Sequence, residues 1–229
     1  IMNQEIYTTA YWSLMAQFTI GVICIVGLFL KVNPNDMIVK EMLIMDTIVQ
    51  IIEFSFYVWL VYNFNNIKID ISVVRYFDWF ITTPTMLFLL VCFFIYVYRK
   101  FNYIPTEDLT LLGIYNDHFN IINMIIIANA LMLLFGFSGE IHLLDKNAAF
   151  GLSTIFLIFT YYLIYQNFTY NEDMNKYIFW FNLNLWIGYG LAYLLVHKDK
   201  NNSFNVLDVF SKNIQGLLLV GVIVYYGYL

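Results

Sequence analysis

Seven apolar runs of near membrane-crossing length follow one another along this chain, with only short polar connectors between them. They lie near 6–30, 37–64, 72–98, 118–138, 147–166, 174–197 and 203–228. A helix needs roughly 20 apolar residues to cross a hydrocarbon core about 30 Å thick. Only helices and closed barrels satisfy their backbone polar groups in that medium. The alternating segments of about ten residues that a barrel strand requires are absent. Connectors such as "KVNPND", "NNIKID", "SGEIHLLDKN" and "HKDKNNS" carry the Asn, Asp, Gly, Lys and Pro of wet turns. The pattern predicts an all-α membrane protein, a seven-transmembrane-helix bundle that forms a single domain over residues 1–229. The chain is 61% hydrophobic and 12% charged, which excludes an ordinary soluble domain with its quarter of charged residues.

The same composition removes several functions. No basic cluster suggests nucleic acid, and the net charge of −5 sits in loops or at special internal positions. Cys24 and Cys92 fall inside apolar runs, where cysteine packs as a small buried residue rather than forming a disulfide. No nucleophile–base or metal-binding constellation is present, so neither an enzyme nor a metal site is expected. "DHFN" at 117–120 and "EIH" at 140–142 read as interface residues rather than ligands. The start "IMNQEIYTTAYW" lacks the positive region and cleavage site of a signal peptide, so the first run is expected to insert by itself.

The basic residues barely orient the chain. With the N-terminus extracellular and the C-terminus cytoplasmic, Lys31, Lys40, Arg99, Lys100 and Lys176 lie inside, against Lys68, Lys146, Lys198 and Lys200 outside. "LTLLGIY", in the long connector 99–117, is expected to lie as a short amphipathic piece in the interface.

Ionisable groups at membrane depth are costly and need a partner or a task. Here they are Asp46 and Glu53 in the second run, Arg75 and Asp78 in the third, and Asp208 and Lys212 in the seventh. Taken alone, Arg75 could snorkel from a helix end. Asp208 and Lys212, four apart on one helix face, could be a structural ion pair. Residues 75–84, "RYFDWFITTP", place Arg75, Asp78 and Thr82 on one helical face. Pro84 removes one ladder hydrogen bond, and the hydroxyls of Thr82 and Thr83 can satisfy freed backbone groups.

Together, "RYFDWFITTP" and "LDVFSKN" in a seven-run layout resemble the microbial (type 1) rhodopsins. The resemblance implies all-trans retinal bound covalently to Lys212 as a protonated Schiff base. It makes Asp78 and Asp208 the counterions, with Arg75 below them and Thr82 bonded to the Asp78 carboxylate. One iminium and one guanidinium then balance two carboxylates, which keeps the proton on the nitrogen. "WIGYG", Trp186 to Gly190, is similar to the family's W-x-x-Y-P pocket motif, with Gly190 in place of proline. Trp79, Thr83, Tyr57, Asn129, Gly136, Ser153, Thr154, Trp186 and Tyr189 take pocket positions. Trp180 is the rival pocket tryptophan, although ordinary helix packing accounts for any single aromatic.

Two features bear on the kind of rhodopsin. Eleven residues after Asp78, where outward proton pumps often carry a donor carboxylate, this chain has Leu89. Asp46 and Glu53, two turns apart and about 10 Å along the axis, share a face of the second helix. That stretch resembles the channelrhodopsins, which implies an ion path and gate built from Ser13, Asp46, Glu53, Asn213 and Asp208. Leu60 departs from their carboxylate pattern, and their gate pair on helices three and four appears as Thr83 and Asn129 rather than cysteine and aspartate. The implied function is a light-gated channel for monovalent cations and protons. A weak outward proton pump, or a sensory rhodopsin with a separate transducer, is the alternative. Short loops and a composition rich in Asn, Ile, Tyr and Phe are similar to the rhodopsins of giant algal viruses. That likeness implies a lipid bilayer of the host cell and a homo-oligomer of unspecified order.

Overall fold

A computed structural model describes residues 4–227, so the outermost ends of the 1–229 domain and position 228 of the last run lie outside the described residues. Eight α-helices form among these residues: α1 (Gln4–Gly27), α2 (Met37–Asn63), α3 (Ile71–Phe101), α4 (Leu111–Asp117), α5 (Phe119–Glu140), α6 (Lys146–Phe168), α7 (Asp173–Leu194) and α8 (His197–Gly227). The short α4 occupies the connector expected to hold an amphipathic piece. Its Leu112 is exposed and its Ile114 buried. Six of the seven long helices are long and apolar enough to cross a membrane. The remaining one, α7, has the length at 22 residues, but Asn182 and Asn184 lower its hydropathy.

The long helices close into a ring in the order α1, α2, α3, α5, α6, α7, α8, with α8 returning against α1 and α2. Of these, α3 is the most enclosed, because it packs against α2, α5, α6, α7 and α8 and buries Arg75 and Asp78 among them. Asp70 caps its start by accepting from the Ser72 N–H at 2.8 Å. Burial pushes the Asp70 carboxyl up, but the Ser72 bonds with Lys200 and His197 outweigh it and hold it below the usual carboxylate range.

At the opposite end Arg99 ties the connector after α3 through Asp108 at 2.7 Å, and charge also joins α3 to the connector before α2. Asp36 accepts from Lys100 at 2.7 and 2.9 Å and from the Tyr96 hydroxyl at 3.0 Å. The Leu111 N–H, at the start of α4, donates to Glu41 at 2.9 Å. Between the two ends, Cys24 and Cys92 are buried free thiols within the largest apolar cluster.

Two glycines bring α5 close to its neighbours. A Cβ on Gly136 would meet the Tyr76 hydroxyl, and one on Gly139 would meet the Tyr193 hydroxyl and lie 2.7 Å from the Ala149 Cβ. Each glycine thus forms a notch that accepts a tyrosine oxygen. Gly139→Ala overpacks the α5–α6 contact and is expected to cost about 1–3 kcal/mol. Its check is the thermal denaturation midpoint of the purified protein, which should fall; Gly151→Ala, with nothing within 4 Å inside α6, should raise it slightly, since alanine is the better helix former.

Candidate functional site

Lys212 lies in the middle of α8 and is buried, with its amine turned into the bundle. It closes one end of a cavity between α3, α5, α6, α7 and α8. The cavity holds about 770 Å³ of atom-free space, its open mouth included. Trp79, Thr83, Gly136, Ser153, Thr154, Trp186, Tyr189 and Lys212 line it, as the sequence suggests. Trp186 is buried and Trp180 is 53% exposed, so the cavity takes the tryptophan at mid-helix.

Two pocket expectations change. Tyr57 does not line the cavity; its hydroxyl donates to Asp208 at 2.8 Å on the α2 side of α8. Asn129 does not line it either. It reaches across from α5 and donates to the Thr83 hydroxyl at 2.8 Å, positioning a wall residue from behind. Tyr76, Met86, Phe150, Tyr193 and Phe204 complete the wall. Trp79 meets Tyr76, Tyr189 and Phe204 edge-on at 5.1–5.4 Å, which fixes its ring.

The charged groups are arranged differently from the expected pair of counterions. The Lys212 amine contacts Asp78 on α3 and Glu53 on α2. Asp208 pairs with Arg75 at 2.7 Å and also accepts from Tyr57 and from Tyr189 at 2.7 Å. Asp208 therefore stands one step behind the lysine, and Glu53 stands beside it. The reason is reach: Asp208 shares a helix with Lys212 and faces Arg75, whereas Glu53 projects across from α2. The cluster holds Glu53, Asp78 and Asp208 against Lys212 and Arg75. Its formal charge is one negative unless a proton is shared among the carboxyls.

Thr82 does not reach the Asp78 carboxylate. Its hydroxyl donates to the Asp78 backbone carbonyl at 3.0 Å, and Thr83 donates to the Trp79 carbonyl at 2.7 Å. Neither serves the Phe80 carbonyl that Pro84 leaves without a donor. A serine or threonine one turn along a membrane helix bonds its own backbone more easily than it bridges to a side chain.

Beside the cavity, α1, α2 and α8 enclose a buried polar seam. Asp46, Gln50, Glu53 and Tyr57 form one stripe along α2 and are all buried. Gln50 donates to Asp46 at 2.7 Å and approaches the Cys24 sulfur at 3.3 Å. Gln17, on α1, donates to Glu53 at 3.2 Å. Two expected gate residues do not join these bonds. Ser13 donates to the Asn205 backbone carbonyl at 2.8 Å, and the Asn213 amide donates to the Val209 carbonyl of its own helix at 2.8 Å. Gln17, not Ser13, is the α1 partner of Glu53. Gln17 and Gln50 could have been found in the sequence, since each is an amide inside an apolar run.

The described bundle, with a buried lysine at the end of an aromatic-walled cavity, has the architecture of a microbial rhodopsin. The viral rhodopsin OLPVRII matches it with a TM-score of 0.81 at 24% identity, over 96% of this chain and 98% of that one. Halorhodopsin, a light-driven chloride pump, matches at 0.74 and 13%, over 98% and 97%. The proton pumping rhodopsin AR2 from the marine alga Acetabularia acetabulum matches at 0.72 and 16%, over 96% and 95%. No curated protein sequence matches the chain. The family of bacteriorhodopsin-like proteins matches residues 5–225, and the chain belongs to it.

Members of this family carry retinal on a lysine through a Schiff base. The residues present fit such a group. An amine opens into an apolar-walled cavity, the Asp78 carboxylate that contacts it keeps its other oxygen without a protein partner, and Gly136 leaves room in the wall beside the Tyr76 hydroxyl.

Proposed function

We propose that this chain is a light-gated channel for monovalent cations and protons, with all-trans retinal held on Lys212. The observation that carries this reading is the direct contact between Lys212 and Glu53, because Glu53 belongs both to the lysine site and to the α1–α2–α8 seam. When bound, retinal supplies the absorption of visible light and a change of shape at its point of attachment. The rest is work for the protein. Asp78 and Glu53 hold positive charge on the Lys212 nitrogen. A shift of that nitrogen, or of its proton, withdraws the charge that Glu53 faces. Glu53 then reorients away from Gln17, and the polar groups of the seam become free to take up water and a cation. Acidic constrictions favour cations over anions.

On this reading the chain is one seven-helix domain in the host membrane. The Gln4 end of α1 faces outside, and the subunits form a homo-oligomer. A weak outward proton pump is the second reading, supported by Asp78, whose carboxylate contacts the lysine through one oxygen and can accept its proton. Leu89 opposes that reading, since it is fully buried in apolar packing where a donor to the lysine would stand. Voltage-clamped photocurrents under varied sodium, potassium and proton gradients decide between them. Current that reverses with the cation gradient is expected. Outward current that persists without any gradient and never reverses would establish the pump.

A further inference from the structure

Asn205 lies on α8 two turns before Lys212 and is fully buried. Its carboxamide is held from both sides. The oxygen accepts from Arg75 on α3 and lies 3.2 Å from the Tyr57 hydroxyl of α2, whose one hydrogen has its shorter contact, 2.8 Å, with Asp208. The nitrogen donates to the Thr9 hydroxyl at 2.7 Å and to the Ile6 carbonyl at 3.3 Å, both on α1. The Asn205 backbone carbonyl also accepts from Ser13 at 2.8 Å, one turn further along α1. Thr9 is joined to α8 a second time, through Asn202 at 2.8 Å.

One planar group thus connects the guanidinium of the site to the first turns of α1. Its orientation is set from both sides. Turned over, it would present an NH₂ to the guanidinium and an oxygen to the Ile6 carbonyl, and both contacts would repel. Arg75 divides its donors between Asp208 and Asn205, which stand three apart on the same face of α8. Hydrogen bonds from a charged donor are roughly twice as strong as neutral ones. Arg75 is therefore the main restraint on the amide.

We propose that Asn205 is the positioning residue of a latch that closes the Gln4 end of the seam. It holds Arg75 against Asp208 and, through Thr9 and Ile6, holds α1 against α8. A charge change at Lys212 that draws Asp208 or Arg75 away frees the Asn205 oxygen, and the bonds to α1 lose their fixed partner. The latch rests on the light-driven charge change at Lys212 proposed above, but not on ion conduction.

Amide hydrogen exchange of the purified pigment in lipid nanodiscs tests it, because exchange inside a helix reports local opening. In the wild-type protein, illumination should raise exchange in residues 6–14 roughly fivefold, about the worth of one hydrogen bond. Thr9→Val cuts the α1 side alone; in darkness it should exchange in residues 6–14 at the illuminated wild-type level with its absorption band unmoved. Asn205→Leu should raise dark exchange equally and also shift the band, because Arg75 loses an acceptor. Should Asn205→Leu not assemble, Thr9→Val decides. Equal exchange in light and dark for the wild type overturns the latch, and so does wild-type dark exchange in Thr9→Val. A photocurrent of zero with the light-induced rise intact would refute the channel and leave the latch standing.

Discussion

Lys212→Ala is expected to abolish the visible, retinal-dependent absorption band. The cavity offers no second amine among its lining residues, so no other side chain there can take over the attachment. A second effect follows from the ion pairs. Without the ammonium, Glu53 and Asp78 face the same space with no cation between them. Removing one partner of a buried pair costs about 3–5 kcal/mol, because the remaining charge stays desolvated. The variant should therefore also be less heat-stable than the wild-type apoprotein, and adding Glu53→Gln should restore part of the loss. The measurement is absorbance after addition of all-trans retinal, normalised to protein by immunoblot, with thermal denaturation of each apoprotein alongside. A band that survives in Lys212→Ala would place the attachment on another lysine.

Glu53→Gln carries the second large effect, and here the geometry alters what sequence reasoning expects. Read only as a gate residue, Glu53 should affect current far more than colour. Its carboxylate instead contacts the lysine nitrogen, so both should change. A unit charge about 4 Å away is worth up to about 4 kcal/mol at an effective dielectric of 20. That attraction stabilises positive charge at the nitrogen in the ground state. Losing it narrows the gap to an excited state whose charge has moved away, so the band should shift to longer wavelength. The photocurrent should also fall or change its cation preference. Asp46→Asn is the control: two turns along α2 and bonded to Gln50, it should alter current while leaving the band in place. An unmoved band in Glu53→Gln would detach Glu53 from the lysine. An unaltered current would remove the seam from the ion path.

Much of the fold was legible because membrane spans announce themselves by length and apolarity; six runs match their helices to within a few residues, while α8 starts at His197, so that "HKDKNNS", expected as a wet turn, forms its first two turns. Only α7 blurs that criterion, since Asn182 and Asn184 dilute its hydropathy. The lysine and the α3 aspartate were legible for a different reason, since charge is rare enough at membrane depth to stand out, and the cavity wall only through the likeness of "WIGYG" to a family motif. Partner choice was not legible. Whether Lys212 meets Asp208 or Glu53 depends on which helices face each other and how far each side chain reaches, and spacing along one helix encodes neither. Ser13, Asn213 and Thr82 show the other limit. Each sits at a suggestive position, yet each bonds to backbone: Thr82 and Asn213 to a carbonyl of their own helix, which competes at little entropic cost, and Ser13 to the Asn205 carbonyl across on α8. An uncharged amide such as Asn205 carries no such signal, because its role depends on partners on α1, α2 and α3 that spacing along α8 does not encode.

The glutamines of the seam have a consequence for how such a protein can diversify. Gln17 and Gln50 each stand against a carboxylate, and glutamine and glutamate have nearly the same size and shape. Exchanging one for the other alters the charge of the conduit while leaving its helix packing almost untouched. In the channel proposed above, permeation can therefore drift by single amide–acid exchanges, at Gln50 apart from the lysine and at Gln17, bonded to Glu53, together with the colour. Related proteins could share one pigment chamber and still differ in what passes beside it.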